Sequence, residues 1–239
     1  MIGFLSKLLN AMSNKKYRRN PHAVELMPEQ QRALNVGAIN AEQTMCYCDS
    51  LETGCNRKML KKSLLNYYGV RNREEALVTL TWLSDRGHSV LFDAIKRFSA
   101  GMDCCIDDSH LEDEEKPNTY EYINHLKETA DILEKKGCIH SKADFATCSI
   151  KAFDMGRLVL VARCSYDCGY ITDTEAWEHI FSAYKKCQII YNDWQELARG
   201  YIIGRSMQGG ENITLGGIMG IADELLHDPE SPWQKSSLR

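Results

Sequence analysis

Lys151-Ala-Phe-Asp-Met-Gly-Arg-Leu-Val-Leu-Val-Ala-Arg-Cys164 is the stretch that decides the fold. At 3.6 residues per turn, Ile150, Asp154, Arg157, Val161 and Cys164 share one face. Leu158, Val159 and Leu160 make the other sides apolar too. A helix that is apolar nearly all round belongs inside a larger helical body. Asp154 and Arg157 are carried in with it, while Arg163 lies off their face. An isolated buried charge is very costly, so these two should pair with each other or with further polar groups.

Working toward the C-terminus, Tyr166-Asp167-Cys168-Gly169-Tyr170-Ile171 follows, and Gly169 suits the left-handed end of a helix. Thr172 and Glu175 form a capping box for the next helix. That helix carries Trp177, Ile180, Phe181, Tyr184, Gln188 and Tyr191 on its inner face. An aromatic stripe at this spacing is a core feature. Asp193 with Glu196 opens a further helix, with Trp194, Leu197, Ala198, Tyr201 and Arg205 on one face. Gly200 and Gly204 each cost a helix roughly 1 kcal/mol against alanine, which suggests that another backbone approaches them closely.

Working toward the N-terminus, a helix is expected over Ser141/Lys142 to Cys164 and another over Thr119–Lys136, ended by Gly137. Residues 103–118 carry six acidic side chains between Asp107 and Glu115, and they read as a solvated acidic loop joining two halves. Asn72 caps a helix with Glu74 and Glu75 in its first turn, and Gly87 ends it. A short helix with Phe92, Ile95 and Phe98 comes next. Asn56 to Tyr68 is a helix closed by Gly69. Pro28 begins one that runs to about Tyr47. The predicted fold is all-α: a multi-helix bundle of about eight to ten helices with little or no sheet. Residues 1–27 form an amphipathic segment and linker, and residues 28–239 form a single helical domain.

Composition narrows the function classes. Of 239 residues, 44% are hydrophobic and 26% charged, as in ordinary globular proteins. The net charge of −4 comes without a basic stripe, which argues against nucleic acid as a partner. No apolar run reaches the ~20 residues needed to cross a bilayer. Ile2, Phe4, Leu5, Leu8, Leu9 and Met12 make residues 1–14 amphipathic. That segment should pack on its own domain, with a membrane surface as the weaker reading. No secretory signal is evident, so the expected location is cytoplasmic. Among ten cysteines, Cys46, Cys48 and Cys55 lie close together, as do Cys104 and Cys105. Neither group has paired zinc-ligand spacing, so reduced, mostly buried thiols are expected, with no metal and no cofactor.

Asp154, Arg157 and Arg205 could therefore meet beneath Trp177, Trp194 and Tyr201, with Asp167, Arg163 and Tyr166 nearby. Such a cluster is either a register-fixing ion network or an anion pocket built on arginine forks. The same residues resemble a known family. Phe153-Asp154-x-Gly156-Arg157, then Arg163-Cys164-x-Tyr166-Asp167-x-Gly169-Tyr170-Ile171 and Glu175-Ala176-Trp177 are similar to the bacterial YbeU/YbeR-like proteins, domain-of-unknown-function family 1266. Trp194 with Glu196, Gly200-Tyr201-x-x-Gly204-Arg205 and Leu225-Leu226-x-Asp228-Pro229-x-Ser231-Pro232-Trp233 continue the likeness. So do Glu75-Ala76-Leu77, Leu80, Trp82-Leu83 and Gly87-His88, so that it spans about Pro28 to Trp233. Two positions depart from the family pattern. Ser206, Met207 and Gln208 stand where an aromatic is common, and Phe153 stands where Trp is common. The resemblance implies a bacterial, cytoplasmic, helical protein and supplies no substrate.

No nucleophile elbow, P-loop, zinc-protease helix or dinucleotide fingerprint is present. The expected function is protein binding through an aromatic and arginine groove near Trp194, Tyr201 and Arg205. Toxin neutralisation or a chaperone-linked role would both fit. The alternative is an enzyme on a phosphate- or carboxylate-bearing substrate. Asp154 or Asp167 would then be the acid or base, and Arg157 and Arg205 would stabilise charge.

Overall fold

Side-chain oxygens placed one residue before the first turn start five of the ten described α-helices. The computed structural model describes residues 16–239, so the expected amphipathic segment 1–14 lies outside the described residues. The described elements are α1 (Pro28–Asn35), α2 (Ala38–Thr44), α3 (Arg57–Tyr68), α4 (Arg73–Asp85), α5 (Gly87–Ser99), α6 (Thr119–Lys135), α7 (Lys151–Asp167), α8 (Asp173–Ile190), α9 (Trp194–Gly209) and α10 (Ile213–His227). No strand occurs among the described residues, so the fold is all-α. Asn56, Asn72, Thr172, Asp193 and Asn212 each accept a backbone N–H from the first turn of α3, α4, α8, α9 and α10. Thr172 and Glu175 complete the reciprocal capping box.

α7 is the axis. Ala152 to Val159 and Val161 to Ser165 are all buried. α2, α3, α4, α5, α8 and α9 pack around it. Glycines let two of these neighbours come close. A Cβ at Gly204 of α9 would lie 2.5 Å from the Phe153 Cβ, and one at Gly200 would lie 2.7 Å from the Ser149 carbonyl. The sequence pattern predicted that approach, and the glycines make it possible.

Two expected helices are broken, each for a visible reason. The stretch from Pro28 divides at Gly37, where a Cβ would lie 2.6 Å from Val159 Cγ1 of α7. It then ends at Met45, whose φ of 58° is left-handed. The stretch from Lys142 is a short 3-10 turn, Lys142–Ala146, followed by a break before α7. Tyr191, just past the end of α8, fills that break. Its hydroxyl donates to the Ser149 carbonyl at 3.0 Å and accepts from the Ala152 N–H at 2.9 Å. Backbone groups that a continuous helix would have paired are thus satisfied by a side chain.

The chain's two ends of described structure lie together. Tyr17 is buried and donates from its hydroxyl to the Glu224 carbonyl at 3.3 Å. Lys16 pairs with Glu224 at 3.0 Å. Beyond α10, Trp233 stacks on Trp194 with ring centroids 5.3 Å apart and planes 4° from parallel. Its indole N–H donates to the Asn35 carbonyl at 2.8 Å, and Asn35 donates to the Pro232 carbonyl at 3.0 Å. Trp194 donates in turn to Ser236.

The glycines provide a direct test. Gly204→Ala should cost about 1–3 kcal/mol through overpacking against Phe153. Gly220→Ala on the open face of α10, where a Cβ meets nothing within 4 Å, should gain up to about 1 kcal/mol. Urea denaturation of both variants measures this; equal and opposite signs to those stated would show that α9 does not press on α7 there.

Candidate functional site

The charged residues of α7 fall into two separate sites. At its start, Asp154 is completely buried (0% exposed) and points at the beginning of α5. Its carboxylate accepts the backbone N–H groups of His88 at 2.8 Å and Ser89 at 2.9 Å. The carboxylate acts as the N-terminal cap of a helix to which it does not belong, where the helix dipole favours an anion. Gly87 permits this. Its φ is +61°, and a Cβ there would lie 2.3 Å from the Asp154 carboxyl carbon.

Arg157 completes the group. Its Nη2 donates to Asp154 at 2.5 Å and to His88 Nδ1 at 2.9 Å, and its Nε donates to the Phe153 carbonyl at 3.1 Å. The guanidinium lies 4.1 Å over the Phe153 ring. Arginine can only donate, so Nδ1 of His88 is the acceptor and the imidazole is neutral. Burial pushes the His88 pKa down to about 4, with the Arg157 charge adding to the shift and Asp154 opposing it. Trp82 and Phe153 meet the imidazole edge-on, at 5.5 and 5.8 Å between centroids.

At the far end of α7 the chemistry is different. Arg163 is 1% exposed and bonds only to main-chain oxygens of the loop between α2 and α3. Nε donates to Leu51 at 3.1 Å, and Nη2 donates to Tyr47 at 2.7 Å and to Ser50 and Glu52 at 2.9 Å. One turn on, Asp167 accepts the Thr53 N–H at 2.9 Å and its hydroxyl at 2.5 Å. An arginine and an aspartate four residues apart thus hold one irregular loop by its backbone.

The other expected members stand elsewhere. Tyr166 is half-buried, and burial raises its pKa. Trp177 is half-buried against Phe181. Trp194 is buried under Trp233 rather than over the charges. Tyr201 is buried, packs edge-on to Phe153 at 5.4 Å and accepts from Asn40 at 2.8 Å. Arg205 makes no ion pair with any described carboxylate; its guanidinium lies against Gly209, and burial lowers its pKa. The structure therefore brings Asp154 and Arg157 together and leaves Arg205 and Asp167 apart from them. Asp154 and Asp167 are about 20 Å apart along the helix at 1.5 Å per residue. Sequence reasoning placed His88 only within the family resemblance and missed its part in this group; the adjacent Gly87 was the available signal. Among the described residues, no group of three His, Cys, Asp or Glu side chains is arranged to hold a metal ion.

This geometry makes stability pH-dependent. His88 takes up its proton more readily unfolded, near 6.5, than folded, near 4. The contribution is fully present above about pH 6.5 and is lost as pH falls toward 4, by up to about 3 kcal/mol. His88→Gln keeps an acceptor for Arg157 but has no proton to gain. Urea titrations from pH 7.5 to 4 should show a flatter acid limb in this variant; identical limbs would refute the assignment.

No curated protein and no solved structure matches the chain. One family does, over residues 63–238, which takes in all of α7 but not the loop that Arg163 holds: the chain belongs to the family described as a protein of unknown function, DUF1266.

Proposed function

We propose that this chain is a bacterial, cytoplasmic protein-binding module that takes an extended segment of a partner protein. The observation carrying this reading is an open groove of about 690 Å³. It lies between residues 19–28, α1 and the tail at 235–237. Arg19, Arg32 and Lys235 line it together with Ala23, Val24 and Leu26. Val24 is 85% exposed. The backbone N–H groups of Val24, Glu25 and Leu26 donate to no described residue. An extended chain with free main-chain groups, exposed apolar side chains and flanking cations suits an extended peptide with apolar and acidic residues. Glu25 and Asp49 also line the groove, but Asp49 is engaged by the Asn20 N–H at 2.8 Å.

The location differs from the expected groove at Trp194, Tyr201 and Arg205 because the tail covers Trp194 and Phe153 covers Tyr201. The enzyme reading needs a carboxylate free to exchange protons beside two arginines. Asp154 is sealed and accepts three hydrogen bonds, and Asp167 accepts two from Thr53. The cytoplasmic placement is supported by the spacing of the ten cysteines, which matches no small disulfide framework.

Random-peptide phage display on the full chain tests the groove. Enriched peptides should combine apolar and acidic residues. Their binding should fall at least tenfold in an Arg19→Glu, Val24→Asp double variant and weaken with added salt, about 1.4 kcal/mol or more. Arg205→Ala should leave it unchanged. Peptides that bind the double variant equally well, or respond to Arg205→Ala instead, would move the surface elsewhere.

A further inference from the structure

The loop that Arg163 and Asp167 hold contains two thiols that face each other. Cys46 Sγ and Cys55 Sγ are 3.9 Å apart. They sit nine positions apart in sequence, on either side of the segment whose carbonyls Arg163 gathers. Cys46 is buried and also within 3.1 Å of the Thr44 hydroxyl. Cys55 is half-buried, the less enclosed of the two thiols. Cations surround the pair. Arg18 donates to the carbonyls of Met45 and Gly54, the residues that precede Cys46 and Cys55. Arg163 is bonded to the loop from the opposite side.

We propose that Cys55 and Cys46 form a reversible redox site, with Cys55 attacked first by a hydroperoxide and Cys46 resolving it to a disulfide. The geometry supplies each requirement for such a pair: an accessible thiol, fixed positive charge and a resolving thiol in contact. The two thiols are also unequal. The hydrogen bond from Cys46 lowers the Cys55 pKa to about 6, with Thr53, Arg18 and Arg163 assisting against burial. The same hydrogen bond and burial push Cys46 up.

The chemistry balances. The Cys55 thiolate attacks the terminal peroxide oxygen. An S–O bond forms, the O–O bond breaks, and the alkoxide or hydroxide leaves and takes up a proton. Cys46 then gives up its proton and attacks the Cys55 sulfur. The S–S bond forms, the S–O bond breaks, and hydroxide leaves as water with that proton. Two thiols are oxidised by two electrons and one hydroperoxide is reduced. The sulfurs must close from 3.9 Å to about 2.05 Å, a side-chain movement.

The exposed neighbours Cys104 and Cys105, with sulfurs 3.8 Å apart, are the natural comparison. Adjacency along the chain opposes their closure, and the neighbouring Cys104 raises the Cys105 pKa. The test uses the reduced full chain and stoichiometric hydrogen peroxide, followed by alkylation and non-reducing peptide mapping. The expected product is a Cys46–Cys55 cross-linked peptide that dithiothreitol reverses. Before oxidation, iodoacetamide at pH 7 should label Cys55 about tenfold faster than Cys104 or Cys105. Cys46→Ser should trap Cys55 as a sulfenic acid captured by dimedone, and Cys55→Ser should leave Cys46 unoxidised. If wild type yields no such cross-link, or Cys104 and Cys105 oxidise first, the proposal is wrong. Circular dichroism checks that the serine variants fold; if either does not, the wild-type map and labelling rates decide alone.

Discussion

The structure depends on burying one helix on every side while three of its charged side chains are buried with it. Nothing else in the fold imposes so severe a condition. An uncompensated ion inside a protein costs several kcal/mol, so Asp154, Arg157 and Arg163 each had to find partners fixed by tertiary structure. Asp154 found the unpaired N–H groups of α5, a need that every helix start presents. Arg163 found four main-chain carbonyls in a loop without secondary structure of its own. Asp154 and Arg163 are answered by backbone groups that would otherwise be orphaned, and Arg157 by Asp154 and His88. The positions of α5 and of the α2–α3 loop relative to α7 follow from that matching.

This arrangement also explains why so conspicuous a set of charged residues makes a poor catalytic centre. An acid or base must lose its partner to react. Asp154 has three donors and no exposure, and Arg157 is held by a carboxylate, a carbonyl and an imidazole. The imidazole itself is neutral because it must accept from the guanidinium. The group is closed on itself, and its net effect is to fix the angle at which α5 leaves α4 through Gly87.

The helices, most of their caps and the close approach at Gly200 and Gly204 were legible in the sequence because each rests on a local pattern. A side-chain oxygen three residues before a glutamate, or glycines one turn apart, needs no knowledge of the rest of the chain. The Asp154–Arg157 pair was legible for the same reason, since three residues on a helix bring the side chains together. The third member, His88, was not, because it lies 66 positions away and meets Asp154 through its main chain. Arg163 has no complementary acid to search for, because carbonyl oxygens are supplied by any residue. The expected meeting with Arg205 failed on the question of facing: α9 turns Tyr201 toward Phe153 and leaves the guanidinium along its own last turn. Trp194 misled in another way, since the ring that covers it is Trp233, from a tail without helical periodicity.

Asn35 accepts from Trp233 and donates to Pro232 across almost 200 residues, and Tyr17 reaches Glu224 across 207. During synthesis, α1 therefore emerges from the ribosome long before the groups that complete it. Its buried amide and the surface beneath Trp194 must wait, solvated, until the tail has been made. The segment around Pro232 and Trp233 acts as a latch on α1, so a chain lacking it would keep its helices but leave Asn35 and Trp194 uncovered.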